Sequence, residues 1–135
     1  MIPGLLLDTH ILMHWVVEPG RLSREQLRVL RAAELRSEPL AISDITLVEI
    51  AQLVRRGSAR LRISVEEVFR VLENDVIGFQ IRPITILIAR EVPHLTQVLR
   101  DPADCVIAAT ARVHGLRLLT SDQRLLDANV VSTIG

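Results

Sequence analysis

Asp101-Pro-Ala-Asp-Cys-Val-Ile-Ala-Ala-Thr-Ala-Arg-Val-His-Gly-Leu-Arg-Leu-Leu-Thr-Ser-Asp122 reads as a helix that feeds a strand. Asp101 suits the N-cap, and Pro102 suits the first helical position, where a missing N–H costs nothing. Gly115 suits the stop. Leu116–Leu119 is then a short apolar run, expected to be a buried strand, which gives way to a polar turn and an acid, Asp122. The opening of the chain repeats this pattern. Gly4–Leu7 is a second apolar run, closed by Asp8, and Asp8-Thr9 can cap a helix through Ile11, Leu12, Trp15 and Val16.

The remaining segments extend the alternation. Pro19-Gly20 breaks the first helix. Ser23 with Gln26 forms a capping box for a helix that turns Leu27, Leu30 and Leu35 inward. Leu40–Ile42 is a short strand. Ser43 caps a helix from Asp44 to Arg56, stopped by Gly57. Ser64 and Glu67 form another capping box, before Val65, Val68, Phe69 and Leu72 at helical spacing. Phe79–Ile84 alternates as a strand, Thr85–Leu99 is helical with an interruption at Pro93, and Val130–Ser132 is a last edge strand. Strands alternating with helices predict a three-layer α/β/α sandwich around a mostly parallel sheet of four or five strands. The 135 residues are expected to form one domain, 1–135.

Composition narrows the function. No apolar stretch nears the ~20 residues of a membrane span. The Met-Ile-Pro-Gly start lacks a basic leader, so no secretion signal and a cytoplasmic location are expected. One cysteine, Cys105, cannot form an internal disulfide, and it is read as a small core residue. The four histidines show no zinc-ligand spacing. All sixteen basic residues are arginine, against sixteen acids, so phosphate affinity requires a local patch. With no tyrosine and only Trp15, Phe69 and Phe79, a base-stacking platform is not supported.

Four acids stand out: Asp8, Glu49, Asp104 and Asp122. Taken singly, Asp8 and Asp122 read equally well as N-caps, and Asp104 as a first-turn acid favoured by the helix dipole. Glu49 lies between Val48 and Ile50 and needs a partner if buried. In an open α/β sheet, sites form outside the carboxyl ends of the strands, where Asp8 and Asp122 fall. Two carboxylates ~4 Å apart repel by ~4 kcal/mol at an effective dielectric of ~20, so a gathered set requires a counter-charge. An all-oxygen set suits a hard cation, Mg2+ or Mn2+.

Leu5-Leu-Leu-Asp-Thr-His, Ser43-Asp-Ile-Thr-Leu-Val-Glu-Ile-Ala, Arg100-Asp-Pro-Ala-Asp with Ile107-Ala-Ala-Thr-Ala, and Leu118-Leu-Thr-Ser-Asp occur in this order over nearly the whole chain. Together they resemble the PIN-domain family, and in particular VapC-type toxins of bacterial toxin–antitoxin pairs. The resemblance implies an Mg2+- or Mn2+-dependent endoribonuclease that leaves a 5′-phosphate and a 3′-hydroxyl. Its acidic site would comprise Asp8, Asp104 and Asp122 as metal ligands, with Glu49 binding directly or through water. Thr120 and Thr9 would support that site. It also implies a homodimer and a cognate antitoxin partner. The chain departs from the pattern at Val98-Leu99 and Cys105, where many relatives carry basic residues beside the site.

Arg55, Arg56, Arg60, Arg62 and Arg100 are the candidate RNA contacts, and the first four could equally be a solvated loop around Gly57-Ser58. Phosphate contacts would make binding fall steeply with salt. Two other acidic α/β classes are disfavoured. A response-regulator receiver needs a lysine, which is absent. A haloacid-dehalogenase phosphatase needs that lysine and Asp-x-Asp, where this chain has Asp8-Thr-His10. The alternative from a different class is a PIN-like module that binds RNA or protein without cutting.

Overall fold

The structure is a computed structural model that describes residues 3–135, apart from the side chain of Arg56. Its strands are β1 (Leu5–Leu7), β2 (Ala41–Ser43), β3 (Gln80–Arg82), β4 (Arg117–Leu119) and β5 (Thr133–Ile134). The helices are α1 (Thr9–Val17), α2 (Arg24–Leu35), α3 (Asp44–Arg56), α4 (Ala59–Glu73), α5 (Ile86–Glu91), α6 (Pro102–His114) and α7 (Gln123–Ala128). Short 3-10 turns cover Pro19–Arg21 and Val92–His94. The strands form one fully parallel sheet in the order β3-β2-β1-β4-β5.

Alternation along β1 explains the layers. Leu5 and Leu7 point to one face and Leu6 to the other, and all three are buried. The first face packs against Ile11 and Leu12 of α1, Val29 and Leu30 of α2, Ile50 of α3, and Val65 and Val68 of α4. The second packs against Ile88 of α5 and Ile107, Ala108 and Ala111 of α6. A run of three leucines is therefore the signature of a strand covered on both sides. The expected three-layer sandwich is present. Trp15 packs, half-buried, against the first face.

The helix signals act as read. Ser23 Oγ accepts from Gln26 N–H at 3.1 Å, and the Ser23 N–H donates to Gln26 Oε1 at 2.9 Å. Asp101 Oδ1 accepts from Ala103 N–H at 2.8 Å. Gly115 ends α6 at φ +63°, a conformation that favours glycine.

Five expectations need correction. Leu35 points outward, at 88% exposure, and Val29, Leu30 and Ala33 form the inner stripe of α2. The helix expected to start at Ser64 starts six residues earlier. Ser58 caps it, and Ser64 lies inside it with its hydroxyl donating to Arg60 O at 3.0 Å. Ala59-Arg-Leu-Arg62 are good helix formers, so the earlier serine wins. Arg60 and Arg62 thus lie on a helix, not in a loop. β3 is confined to Gln80–Arg82 by Pro83. Thr85–Leu99 contains only the six-residue α5 and a 3-10 turn at Pro93. The last strand falls at Thr133–Ile134 rather than Val130–Ser132, because α7 runs on to Ala128 and Asn129 closes it at φ +53°. Among the described residues no helix is long and apolar enough to cross a membrane.

Candidate active site

After β1 the chain builds β2 and β3 on one side, then returns to lay β4 on the other. The crevice at the carboxyl ends of β1 and β4 is thus a switch point, the usual position for a site in such sheets. Asp8 stands there directly after β1, and its N–H donates to Leu119 O of β4 at 2.9 Å. Its carboxylate is buried, yet both oxygens are engaged. Oδ1 accepts from Thr9 N–H at 2.8 Å, and Oδ2 accepts from the Thr120 hydroxyl at 2.7 Å. The capping and site readings of Asp8 are therefore compatible.

Thr120 is fully buried just beyond β4, and its hydroxyl oxygen also accepts from Asp122 N–H at 3.1 Å. One side chain thereby fixes two of the acids. Glu49 reaches the same end from α3. Its Oε1 accepts from the Thr9 hydroxyl at 2.5 Å, and that hydroxyl lies 3.1 Å from Thr46 Oγ1. Burial raises the Glu49 pKa; the Thr9 hydrogen bond opposes it, while Asp8 and Asp101 add to it.

Asp104, in the first turn of α6, is 9% exposed. Burial, then the charges of Asp101, Asp8 and Asp122, push its pKa up to about 7, with Arg124 opposing. Asp122 behaves in the opposite way. Arg124 donates Nε to Oδ1 at 3.2 Å and Nη2 to Oδ2 at 2.9 Å, and this holds the carboxyl below the usual range. The same Nη2 lies 3.8 Å from Asp104 Oδ2. Among the described residues no three Asp, Glu, His or Cys side chains stand close enough, as placed, to grip one ion. The four acids share one end of the sheet, and Glu49 and Asp104 each feel the charge of Asp8, but they are not drawn into a tight ligand set.

Three participants escaped the sequence reading. Asp101 was read as a cap only, yet it lines the Glu49 cleft with Thr9, His10 and Gln52. Gln26, fully buried, donates Nε2 to Thr120 O at 3.3 Å and to Ser121 Oγ at 3.2 Å. Its capping-box role hid this second contact. Arg124 resembled any surface arginine, although a basic residue two positions after a candidate ligand was a usable signal.

The candidate RNA-contacting arginines are dispersed. Arg100 shares a hollow with Asp104 and Arg124. Arg60 lines a groove between α1, α3 and α4 with His10, Met13 and Leu53. Arg55 and Arg62 are exposed, and the Arg56 side chain lies outside the described residues. Cys105 is a core residue, as expected. Its thiol donates to Leu99 O at 3.0 Å, and burial pushes its pKa up.

A family model described as PIN domain matches residues 5–131. The chain is 35% identical over 121 residues to Ribonuclease VapC22 of Mycobacterium tuberculosis, covering 90% of this chain and 88% of that one. Two of the solved structures that share its fold serve for comparison. One is VapBC2 of Rickettsia felis bound to a DNA fragment from its promoter, with TM-score 0.72, 16% identity and 96% of each chain covered. The other is FitAcB of Neisseria gonorrhoeae, with TM-score 0.71, 21% identity and 97% and 96% covered. The switch-point acids, the α/β/α layers and these matches coincide, and the chain belongs to the PIN-domain family.

Proposed function

We propose that this chain is a divalent-metal-dependent endoribonuclease, the toxin of a toxin–antitoxin pair, acting in the cytoplasm as one domain over residues 1–135. The observation that carries the metal reading is Asp104, a buried carboxyl pushed up to about 7 by burial and by three neighbouring acids. Such a site has an excess of negative charge that a cation would relieve. Ribonuclease activity follows from the likeness to Ribonuclease VapC22.

The residues present fit a hard cation. Every candidate ligand is a carboxylate oxygen, which favours Mg2+ or Mn2+ over softer ions. Asp8, Asp104 and Asp122 would hold the ion, with Glu49 binding directly or through water. The chemistry supplied by such an ion is a more acidic water for in-line attack on a phosphodiester and relief of charge on the phosphate oxygens. Thr120 and Thr9 keep Asp8 and Glu49 oriented through the bonds described above. Arg100, which shares a hollow with Asp104, and Arg60, in the separate groove between α1, α3 and α4, would contact RNA phosphates. A homodimer and a cognate antitoxin complete the reading, the latter because the VapBC fold relatives are toxin–antitoxin pairs.

Replacing Asp8 with Asn should lower Mg2+- or Mn2+-dependent RNA cleavage by at least about a hundredfold while preserving the circular dichroism spectrum. Equal cleavage in EDTA, or full activity of the variant, would refute the mechanism. A second reading, a PIN-like module that binds RNA or protein without cutting it, draws on the loose spacing of the acids. Calorimetry showing no Mn2+ binding would favour it.

A further inference from the structure

We propose that Arg124 is a built-in competitor for the site's cation, occupying the carboxylate oxygens of Asp122 and flanking Asp104 until a divalent ion displaces it. This rests on the metal-site reading above. The guanidinium engages both Asp122 oxygens and stands 3.8 Å from Asp104 Oδ2. Those oxygens belong to two of the three acids that would hold the ion. Arginine is always charged and presents a fork that matches a carboxylate, so it is an effective stand-in for a metal.

The placement of the acids agrees with this. With Arg124 paired to Asp122, the described acids as placed do not form a three-ligand set. The local geometry reinforces the pairing, since the Arg124 backbone N–H also donates to Asp122 Oδ1 at 2.9 Å. Displacement is easy. The Arg124 side chain is 72% exposed, so its guanidinium can swing into water while the neighbouring Leu125 keeps α7 anchored in the core. A fixed positive charge stabilises the metal-free acids and weakens the ion's hold.

The test is Mn2+ titration calorimetry at neutral pH and low salt on the wild type, Arg124→Ala and Arg124→Gln. Circular dichroism would verify the fold. Both variants should bind Mn2+ about two- to fivefold more tightly than the wild type, the range expected when an exposed ion pair is removed. Arg112→Gln serves as the control for total charge, because Arg112 pairs with Glu91 on the α5–α6 face, at the far end of α6 from Asp104. It should leave Mn2+ affinity unchanged. Unchanged or weaker binding by both Arg124 variants, with measurable binding by the wild type, would overturn the competitor role and leave the metal site standing. An equal gain in Arg112→Gln would overturn it too. If neither the wild type nor the variants bind Mn2+, the metal-site reading fails, and the competitor role fails with it.

Discussion

Replacing Asp104 with Asn removes a buried charge at nearly constant shape, and the effect on stability can be worked out. In the unfolded chain Asp104 ionises at the ordinary value of 3.8, but in the fold it ionises only at about 7. That difference corresponds to about 4 kcal/mol of folding stability, lost in full once the pH exceeds both values. Because the folded value is the raised one, the stability is present at acid pH and is lost as pH rises through about 7. Between pH 5 and pH 8 the wild type should lose about 2 to 3 kcal/mol from this group, and the Asn variant should not. Against that, the variant gives up about 0.5 kcal/mol of helix-dipole attraction in the first turn of α6. His14 and His114, both lowered by burial, titrate in both proteins and cancel in the difference. Asp122, lowered by Arg124, acts only at more acid pH. Urea unfolding in EDTA across this pH range measures the difference directly. Parallel pH curves for the two proteins, or a variant less stable than the wild type at pH 8, would refute the view of Asp104 as a strained charge awaiting a cation.

Thr120→Val should destabilise the fold by about 1 to 3 kcal/mol, because it leaves buried Asp8 Oδ2 without a donor and Asp122 N–H without an acceptor. A melting temperature equal to that of the wild type would show that these bonds contribute nothing. The position of the α4 N-terminus is tested by two serines. Ser58→Ala should cost about 1 kcal/mol as a lost cap. Ser64→Ala, inside the helix, should stay within about 0.5 kcal/mol in the same urea assay.

The layers were legible because they are written locally. Three consecutive leucines closed by an acid suit a strand covered on both faces, and Asp101-Pro102 with Gly115 bracket α6 at both ends. Errors arose where local signals compete. Leu35 follows Leu30 by five residues, which turns it about 140° around the helix from the inner stripe. Ser64 and Glu67 spell a capping box, but the chain had already entered the helix at Ser58. In the site, the type and order of the acids were legible, and the family resemblance named Thr120 and Thr9 as supports, whereas the particular bonds these make were not. Nothing near Asp8 announces the Thr120 hydroxyl, and nothing near Thr120 announces Gln26. Such pairings depend on strand order, which local periodicity does not encode.

Strand order also governs when the site can exist. The bond between Asp8 and Thr120 closes a separation of 112 residues, and β1 receives its β4 neighbour only when Arg117–Leu119 arrives. A chain still emerging from the ribosome therefore carries Asp8 and Glu49 long before it carries a finished crevice. A truncation before β4 would leave Asp8 without the Thr120 hydroxyl and the crevice without one of its walls.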